Sequence, residues 1–475
     1  MAPSPSNSIE SYEDATRWIY ERIDYERIRP RKSSTHFRLE RVEKLLALIG
    51  SPQQRIPAIH IAGTKGKGST SAMLASILRC SSLSTGLFTS PHIERFEERM
   101  RIDGAMPTPD ELVDLVRRLA AVLEAADPEI IDAGVTYFEV ATLLAWMFFD
   151  DHDVGIVVLE TGLGGRLDCT TVCRPVLTLI TNIGLDHTHI LGDTLPLIAG
   201  EKAGIMKAGV PLLTWATQPE VLDVFAEHAA RLQCTTWRGG QEITCDVPET
   251  GDTSAGVSFS VNTPWAEHAA LTLPLQGRHQ ALNASLAVAA ADYLQHESQQ
   301  FAEVWPRLAA WCRLISPATV ASGLASVQWP LRFQICPGRP TVILDAAHNP
   351  DSMAAFLATL QGYGSPQQTR VLIFASSSDK DIDTMLQQAV PQFDHVILTR
   401  FENNPRAVDA DALQDLVRRQ QLSCRGGGRL LTAESPAAAL ALARQQAGDD
   451  GIICGTGSIF VAAELLQELN SGAIR

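Results

Sequence analysis

Short runs of β-branched and aliphatic residues alternate with segments of helical apolar spacing in two separate blocks of the sequence. In the first block the runs are AIHIAG, VGIVVLE, VLTLITNIG and GVPLLTW, and the helical segments include 69–79, 110–125 and 136–149. In the second block the runs are TVILDAAHN, RVLIFASS, HVILTR and GIICGTGS, with helical segments near 352–361, 408–420 and 435–446. Strands that alternate with helices form parallel sheets with helices on both faces, so the pattern predicts an α/β fold.

The length of 475 residues predicts more than one domain, because a single hydrophobic core rarely supports so long a chain. Between the two blocks, residues 236–275 contain glycine-rich stretches and an alternating VSFSV, which predict hairpins rather than a parallel unit. Trp329-Pro330 marks the expected hinge. We therefore expect one domain over 1–328, a hinge over 329–338 and a second domain over 339–475.

Net charge argues against several classes of partner. The formal charge is −15, and a surface of that sign repels nucleic-acid phosphates and anionic lipid. The longest apolar run, VATLLAWMFF at 140–149, is half of the ~20 residues that a membrane-spanning helix needs, and the polar N-terminus does not resemble a secretory signal. The nine scattered cysteines suit a reducing compartment. We expect a cytoplasmic monomer that binds small molecules, without nucleic-acid or membrane partners.

The stretch IPAIHIAGTKGKGSTSAML, residues 56–74, joins an apolar strand to a helix through a glycine-rich turn. It differs from the usual phosphate-loop spacing because Gly68 separates Lys67 from Ser69. The free N–H groups and the dipole at the start of a helix favour an anion, and Lys67 is the expected phosphate ligand. On the pattern alone, a glycine turn with two solvated lysines, Lys65 and Lys67, is the alternative.

Several polar side chains follow strands of the first block. Ser90 follows GLFT, Glu160 ends VVLE, and Asp186 and His187 come after LITNIG. Open α/β sheets bind ligands at the carboxyl ends of their strands. A hydroxyl, a carboxylate and an imidazole at one such edge could bind Mg²⁺ that bridges ATP oxygens. Taken singly, Glu160 could be a surface or capping group and His187 a structural histidine.

Two further residues remain ambiguous from the pattern. Arg166 follows GLGG and could bind an anion or form a local salt bridge. Lys202, in AGEKAGIMK, lies in a predicted helix, where a lysine facing solvent is the ordinary expectation.

A series of motifs occurs in an order that identifies a family: HIAGTKGKGS, FTSPHIERFEERMRI, TYFEVATLLA, LETGLGGRLDCT, NIGLDHTHILGDTL, EKAGIMK, GRHQALNA and LDAAHNP. From about residue 36 to its end, the chain resembles the folylpolyglutamate synthase/dihydrofolate synthase family, relatives of the Mur-type peptidoglycan ligases. This resemblance implies an N-terminal P-loop ATPase-like domain with a parallel sheet and a smaller C-terminal Rossmann-like α/β domain. It also implies an ATP- and Mg²⁺-dependent ligase that adds L-glutamate to dihydropteroate, to reduced folates or to both, through an acyl phosphate.

The resemblance assigns ATP-binding and catalytic roles. The expected ATP ligands are Thr64, Lys65, Gly66, Lys67, Gly68, Ser69, Asn283, Arg332 and Asp345. Lys67 is the principal cation, and Lys202 matches a lysine that the family carries as a carbamate. His348 is expected to help place the phosphoryl group or the glutamate.

The same resemblance assigns the metal and the pterin. Ser90, Glu160 and His187 match the magnesium ligands, and Thr136, Leu167, Asp168 and Cys169 match pterin-side positions. The segment that starts at His36 loosely resembles the first pterin-contacting segment. One departure lies in the hinge, where Leu331 replaces the usual glycine.

Two other interpretations remain open at this point. The alternative enzyme is a Mur-type ligase that acts on a UDP-muramoyl precursor, although the glycine between Lys67 and Ser69 argues against it. The other is a non-catalytic nucleotide-binding scaffold, against which the retained Lys67, Glu160 and His187 argue.

Overall fold

The structure, a computed structural model, describes residues 8–24, 39–131, 134–248, 256–402 and 404–472. His36 lies outside the described residues. The chain divides into two compact units: the first comprises Met1–Pro248, Ser258–Thr272 and Ala281–Val327, and the second comprises Glu249–Val257, Leu273–Gln280 and Gln328–Arg475. Each unit contains a largely parallel sheet whose strands are connected by helices, so the α/β prediction is confirmed.

The first unit is built on a seven-stranded sheet of order β3-β2-β4-β1-β5-β6-β7. Its strands are β1 (Ala58–Ala62), β2 (Thr85–Phe88), β3 (Met100–Ile102), β4 (Ile156–Glu160), β5 (Pro175–Ile180), β6 (Leu212–Thr214) and β7 (Thr236–Arg238). Only the edge strand β3 pairs antiparallel, with β2, among these strands. Strand β1 lies at the centre, between β4 and β5, and all five of its residues are buried. The carboxyl ends of these three strands therefore meet at one edge of the sheet.

One prediction about this sheet was wrong. Residues 236–238 were expected to belong to a hairpin region, but β7 extends the main sheet in parallel with β6. The rest of the region does form a separate sheet of order β10-β9-β8, with β8 (Thr244–Asp246), β9 (Val257–Asn262) and β10 (Glu267–Leu273). A strand of three residues is too short for its pairing to be read from local alternation.

Helices connect many of the strands in the first part of the chain. They are α1 (Tyr12–Tyr20), α2 (Leu39–Leu48), α3 (Lys67–Cys80), α4 (Pro109–Glu124), α5 (Pro128–Ile131), α6 (Tyr137–Asp151), α7 (Thr188–Leu191), α8 (Leu195–Ala203), α9 (Pro219–Leu232), α10 (Arg278–His296), α11 (Pro306–Cys312) and α12 (Pro317–Ala325). Helix α6 is buried around most of its circumference, which explains the long apolar run at 140–149. It is a core helix that packs against α4.

No single helix among the described residues is long and apolar enough to cross a membrane. One pair, α11 and α12, passes the same test of length and composition together, with a bend of 87° between the two helices.

The second unit contains a six-stranded sheet of order β11-β12-β16-β13-β14-β15. Its strands are β11 (Gln334–Cys336), β12 (Thr341–Leu344), β13 (Arg370–Phe374), β14 (His395–Leu398), β15 (Leu430–Thr432) and β16 (Ile452–Thr456), and its helices are α13 (Pro350–Gln361), α14 (Ile382–Ala389), α15 (Ala410–Arg419), α16 (Pro436–Ala447) and α17 (Ile459–Gly472). In the predicted hinge, Leu331 adopts a left-handed φ of 56°, a conformation that favours glycine.

Candidate active site

The glycine-rich turn after β1 leads directly into α3. Gly66 is the N-cap of this helix, with φ of 84°, and a Cβ atom there would lie 2.3 Å from the side-chain oxygen of Asn283. Both the backbone conformation and the close approach therefore require glycine at this position. The predicted ATP ligand Asn283 thus lies against the turn that was predicted to bind phosphate. The first N–H groups of α3 begin at this turn and receive no side-chain hydrogen bond from the N-cap, which is suitable for an anion site.

The segment after β5 holds the turn in place. The Thr64 amide donates to the Asn182 carbonyl at 2.8 Å, and the Lys65 amide donates to the Asn182 side-chain oxygen at 2.8 Å. The Thr181 hydroxyl donates to the Lys65 carbonyl at 2.6 Å. The shape of the turn is thus set by the neighbouring strand, which the sequence pattern could not reveal.

Two lysines converge on one carbonyl oxygen of the turn. Lys67 Nζ donates to the Gly63 oxygen at 3.2 Å, and Lys202 Nζ donates to the same oxygen at 2.8 Å. Lys202 is only 4% exposed, so the ordinary expectation of a solvent-facing lysine was wrong. Burial, together with the nearby charge of Lys67, lowers the pKa of Lys202 from 10.5 to about 7.

Glu160 and Ser90 lie beside these lysines. Glu160 ends β4, is 3% exposed, and places a carboxylate oxygen 4.0 Å from Lys67 Nζ. Its other oxygen accepts a hydrogen bond of 3.2 Å from the Ser90 amide. Ser90 precedes Pro91 just after β2, so two neighbouring strands bring the hydroxyl-bearing residue and the carboxylate together.

His187 lies next to a second acid–lysine pair. It is the N-cap of α7, and its Nε2 is 3.8 Å from an Asp186 carboxylate oxygen. Asp186 in turn forms an ion pair of 2.8 Å with Lys65, which is therefore not merely a solvated surface lysine. Among the described residues, no three histidine, cysteine, aspartate or glutamate side chains form a metal-binding group. The predicted magnesium ligands Ser90, Glu160 and His187 include a serine, so this finding does not test them, and they stay a prediction.

The residues predicted to bind the pterin are engaged in local hydrogen bonds. Thr136 caps α6, and its amide and hydroxyl donate to the Glu139 carboxylate at 2.8 and 2.9 Å. Glu139 also accepts a bidentate bond from Arg41 at 2.6 and 2.8 Å. Burial and the charges of Glu139 and Asp168 raise the pKa of the Cys169 thiol well above its usual value. Cys169 therefore lies close to Glu139, the residue that Thr136 contacts, while the assignment of these positions to the pterin stays a prediction.

Close packing joins this stretch to the helix that carries Lys202. A Cβ atom on Gly165 would lie 2.8 Å from the Glu201 carbonyl, and one on Gly204 would lie 2.4 Å from the Arg166 Cα. Arg166 forms a salt bridge of 2.8 Å with Glu201, as one of its two interpretations predicted. The glycines of GLGG thus allow the loop to contact α8 closely.

In the second unit, three predicted residues lie at the end of β12. Asp345 accepts hydrogen bonds from the Phe333 and Ala347 amides at 2.7 and 2.8 Å. Desolvation raises its pKa to about 6, while the nearby Arg332 opposes that rise. The Nδ1–H of His348 donates to the Ala346 carbonyl at 2.8 Å, because a carbonyl oxygen can only accept.

Two neighbours of the predicted pterin-side residues, Arg41 and Glu139, were missed by sequence reasoning. Arg41 pairs with Glu139 across nearly one hundred residues of sequence, and no local signal predicts such a contact. Glu139 itself could have been found, because Thr136 and Glu139 form a capping-box pattern, T-x-x-E.

Two family signatures match the chain. The Mur ligase middle domain matches residues 61–291, and the Mur ligase glutamate ligase domain matches residues 331–459. The first match contains the glycine-rich turn, Glu160, His187 and Lys202, and the second contains Arg332, Asp345 and His348.

Relatives and solved structures agree with these signatures. The dihydrofolate synthase/folylpolyglutamate synthase of Bacillus subtilis is 33% identical, over 97% of this chain and 99% of the relative. The folylpolyglutamate synthase of Lacticaseibacillus casei is 32% identical, over 91% of this chain and 94% of the relative. A crystal structure of Mycobacterium tuberculosis folylpolyglutamate synthase, complexed with ADP and AMPPCP, matches with a TM-score of 0.81 and 28% identity, over 98% of this chain and 99% of that one. The chain therefore belongs to the folylpolyglutamate synthase/dihydrofolate synthase family of Mur ligases.

Proposed function

We propose that the protein is an ATP- and Mg²⁺-dependent ligase that adds L-glutamate to dihydropteroate, to reduced folates or to both. The single observation that carries this proposal is the convergence of Lys67 and Lys202 on the Gly63 oxygen beside the buried Glu160. Such a cationic turn at a helix N-terminus suits a triphosphate. The names of the B. subtilis and L. casei relatives supply the substrate class.

The reaction requires that a carboxylate be activated before an amine can attack it. In our proposal the γ-phosphoryl group of ATP passes to the substrate carboxylate, and the α-amine of glutamate then displaces phosphate from the acyl phosphate. The chain itself contributes position and charge: Lys67 and the α3 N–H groups hold phosphate oxygens, with Arg332 as a further cation. Asn283, Arg332 and Asp345 are the remaining proposed ATP ligands.

Glu160 and Ser90 would hold the magnesium ion, with His187 as the third proposed ligand. An acid that is 3% exposed and lies beside a hydroxyl-bearing residue offers the oxygen ligands that Mg²⁺ prefers. When bound, Mg²⁺ neutralises phosphate charge and favours departure of the γ-phosphoryl group.

Lys202 has the chemical properties that carbamate formation needs. A lysine of pKa about 7 is about half neutral at neutral pH, and only the neutral amine attacks CO₂. The nitrogen forms a bond to the carbon of CO₂ and loses a proton, which converts a buried cation into an anion. In our proposal this anion helps to organise a metal ion and the incoming amine, and His348 helps to place the phosphoryl group or the glutamate.

A phosphate-release assay tests the proposal. ATP, Mg²⁺ and glutamate are supplied with dihydropteroate in one reaction and with tetrahydrofolate in another, and release in either supports the assignment. A UDP-muramoyl precursor forms the third reaction, since the relatives named above are folate enzymes and make this alternative less supported. The proposal would be overturned if neither pterin caused phosphate release and the UDP-muramoyl precursor did.

A further inference from the structure

A histidine lies in the middle of the central strand, where an apolar residue would be expected. His60 is fully buried in β1, between Leu159 of β4 and Thr178 of β5. Its Nε2 is 2.8 Å from the hydroxyl of Thr170, which is also fully buried. Its Nδ1 has no hydrogen-bond partner within the described part of the chain. A buried polar atom without a partner destabilises a fold, so packing alone does not explain this side chain.

The hydrogen bonds of Thr170 fix where each proton lies. The single hydroxyl proton of Thr170 goes to Asp168, whose Oδ1 accepts it at 2.5 Å. The hydroxyl oxygen can then only accept from His60, so Nε2 of His60 carries the proton and donates. Burial lowers the pKa of His60 to about 3, so the ring stays neutral and keeps this role at neutral pH. The result is one directed chain of hydrogen bonds, from His60 through Thr170 to Asp168.

Asp168 is the point at which this chain reaches the substrate loop. Its carboxylate is 6% exposed and also accepts from the Thr170 amide at 3.0 Å and the Leu163 amide at 2.9 Å. Asp168 thereby closes the loop that runs from Gly162 to Asp168, next to Leu167 and Cys169, the proposed pterin-side residues. His60 lies two residues before the end of the strand that leads into the phosphate-binding turn. Strand β1 is thus connected to the proposed pterin-side loop through His60 and Thr170, and to the proposed phosphate-binding turn through its own carboxyl end.

We propose that His60 is a positioning residue for the pterin-side loop, acting as a neutral hydrogen-bond donor through Thr170 to Asp168. The proposal rests on the proposed function, because it takes the 167–169 stretch as pterin-contacting. His60 touches no reacting atom. Its effect is therefore expected in the KM for the pterin substrate and not in the KM for ATP.

The test compares H60L with H60Q in steady-state phosphate release, using whichever of dihydropteroate and tetrahydrofolate the wild type turns over. H60L removes the donor, and we expect the KM for the pterin to rise about fivefold to tenfold, the effect of one lost hydrogen bond. The KM for ATP should stay within about twofold of wild type. H60Q places an amide N–H near the position of Nε2 and should restore most of the lost affinity. The Tm of H60L should change little, because the lost hydrogen bond to Thr170 is offset by the removal of a buried nitrogen that has no partner.

Thr170 supplies an independent pair of variants. T170V removes the hydroxyl in the middle of the hydrogen-bond chain and should raise the KM for the pterin. T170S keeps the hydroxyl and should leave that KM close to the wild-type value. The effects of H60L and T170V should be less than additive in the double variant, because both remove the same connection. An unchanged pterin KM in H60L, or an equal rise in both KM values, would overturn the proposal.

D168N separates this proposal from the proposed function. If D168N raises the pterin KM and H60L does not, only the role of His60 is wrong. If neither D168N nor H60L changes the KM for the pterin while turnover persists, the assignment of the loop to the pterin is wrong. The proposed role of His60 is then wrong as well. If no pterin is turned over by the wild type, the proposed function itself is refuted.

Discussion

The burial of Lys202 predicts an unusual dependence of stability on pH. The pKa falls from 10.5 in the unfolded chain to about 7 in the folded one, and each pKa unit corresponds to 1.36 kcal/mol. Below pH 7 the amine is protonated in both states, and the folded state bears the full penalty of roughly 5 kcal/mol. Between pH 7 and 10.5 the unfolded state binds more protons, so the free energy of unfolding rises with pH. Above that range the penalty is absent.

The variant K202M removes this penalty together with the hydrogen bond to Gly63. At pH 7 half of the folded-state amine is already neutral, so the penalty there is about 4 kcal/mol. The hydrogen bond contributes about 1–2 kcal/mol, so we expect K202M to be more stable than wild type by roughly 2–3 kcal/mol at pH 7. The advantage should shrink by about 2 kcal/mol between pH 7 and pH 9, because about half of the wild-type penalty disappears over that interval. Turnover should be lost at both pH values if the proposed role of Lys202 is correct.

Urea denaturation at pH 7 and pH 9 measures the difference, in CO₂-free buffer so that the amine stays unmodified. The matched control is K207M, because Lys207 is partly exposed and its replacement should change stability by less than about 1 kcal/mol at both pH values. A K202M protein that is less stable than wild type at pH 7, or whose advantage does not change with pH, would refute the reasoning.

Three further predictions concern single side chains of the first unit. E160Q should lower turnover about 100-fold or more with little change in Tm, because it removes the proposed magnesium ligand and leaves a similar shape; near-normal turnover would remove Glu160 from the metal site. K67M should raise the KM for ATP at least tenfold in the phosphate-release assay, and an unchanged KM would contradict its role as a phosphate ligand. R41Q should lower the free energy of unfolding, measured by urea denaturation, by about 3 kcal/mol, because it leaves the buried Glu139 without its charge partner. R55Q, at the exposed pair with Asp150, should cost at most about 1 kcal/mol, and equal costs would contradict the argument.

The elements with strong periodicity were predictable from the sequence. The predicted helical segment 69–79 carries apolar residues four apart, Met73/Ile77 and Leu74/Leu78, and all four are fully buried on α3. Their spacing is a property of the helix itself, so no distant contact is needed to infer it. The strand β7 shows the opposite case, because its parallel pairing is decided by β6, more than twenty residues away.

The site was predictable only where the chemistry lies in a local motif. The turn that contains Lys67 could be inferred because strand, glycine and helix are consecutive. The burial of Lys202 could not, since it depends on α8 docking against the loop at Gly165 and Gly204. The same holds for the hydrogen bonds of Asp168, one of the proposed pterin-side residues. Its carboxylate accepts from the Thr170 hydroxyl and the Leu163 amide.

The carbonyl of Gly63 explains how two lysines of the same chemistry can take different roles. A Cβ atom at this position would lie 1.9 Å from the Thr181 hydroxyl, so only glycine leaves the carbonyl where both ammonium groups reach it. Two cations at one oxygen repel each other, and the more deeply buried of them, Lys202, carries the larger desolvation penalty. Lys67 faces the carboxylate of Glu160 instead, at 4.0 Å. The carbonyl of this one glycine thus brings together the two lysines to which the proposed function gives different roles, Lys202 as the amine that reacts with CO₂ and Lys67 as the phosphate ligand.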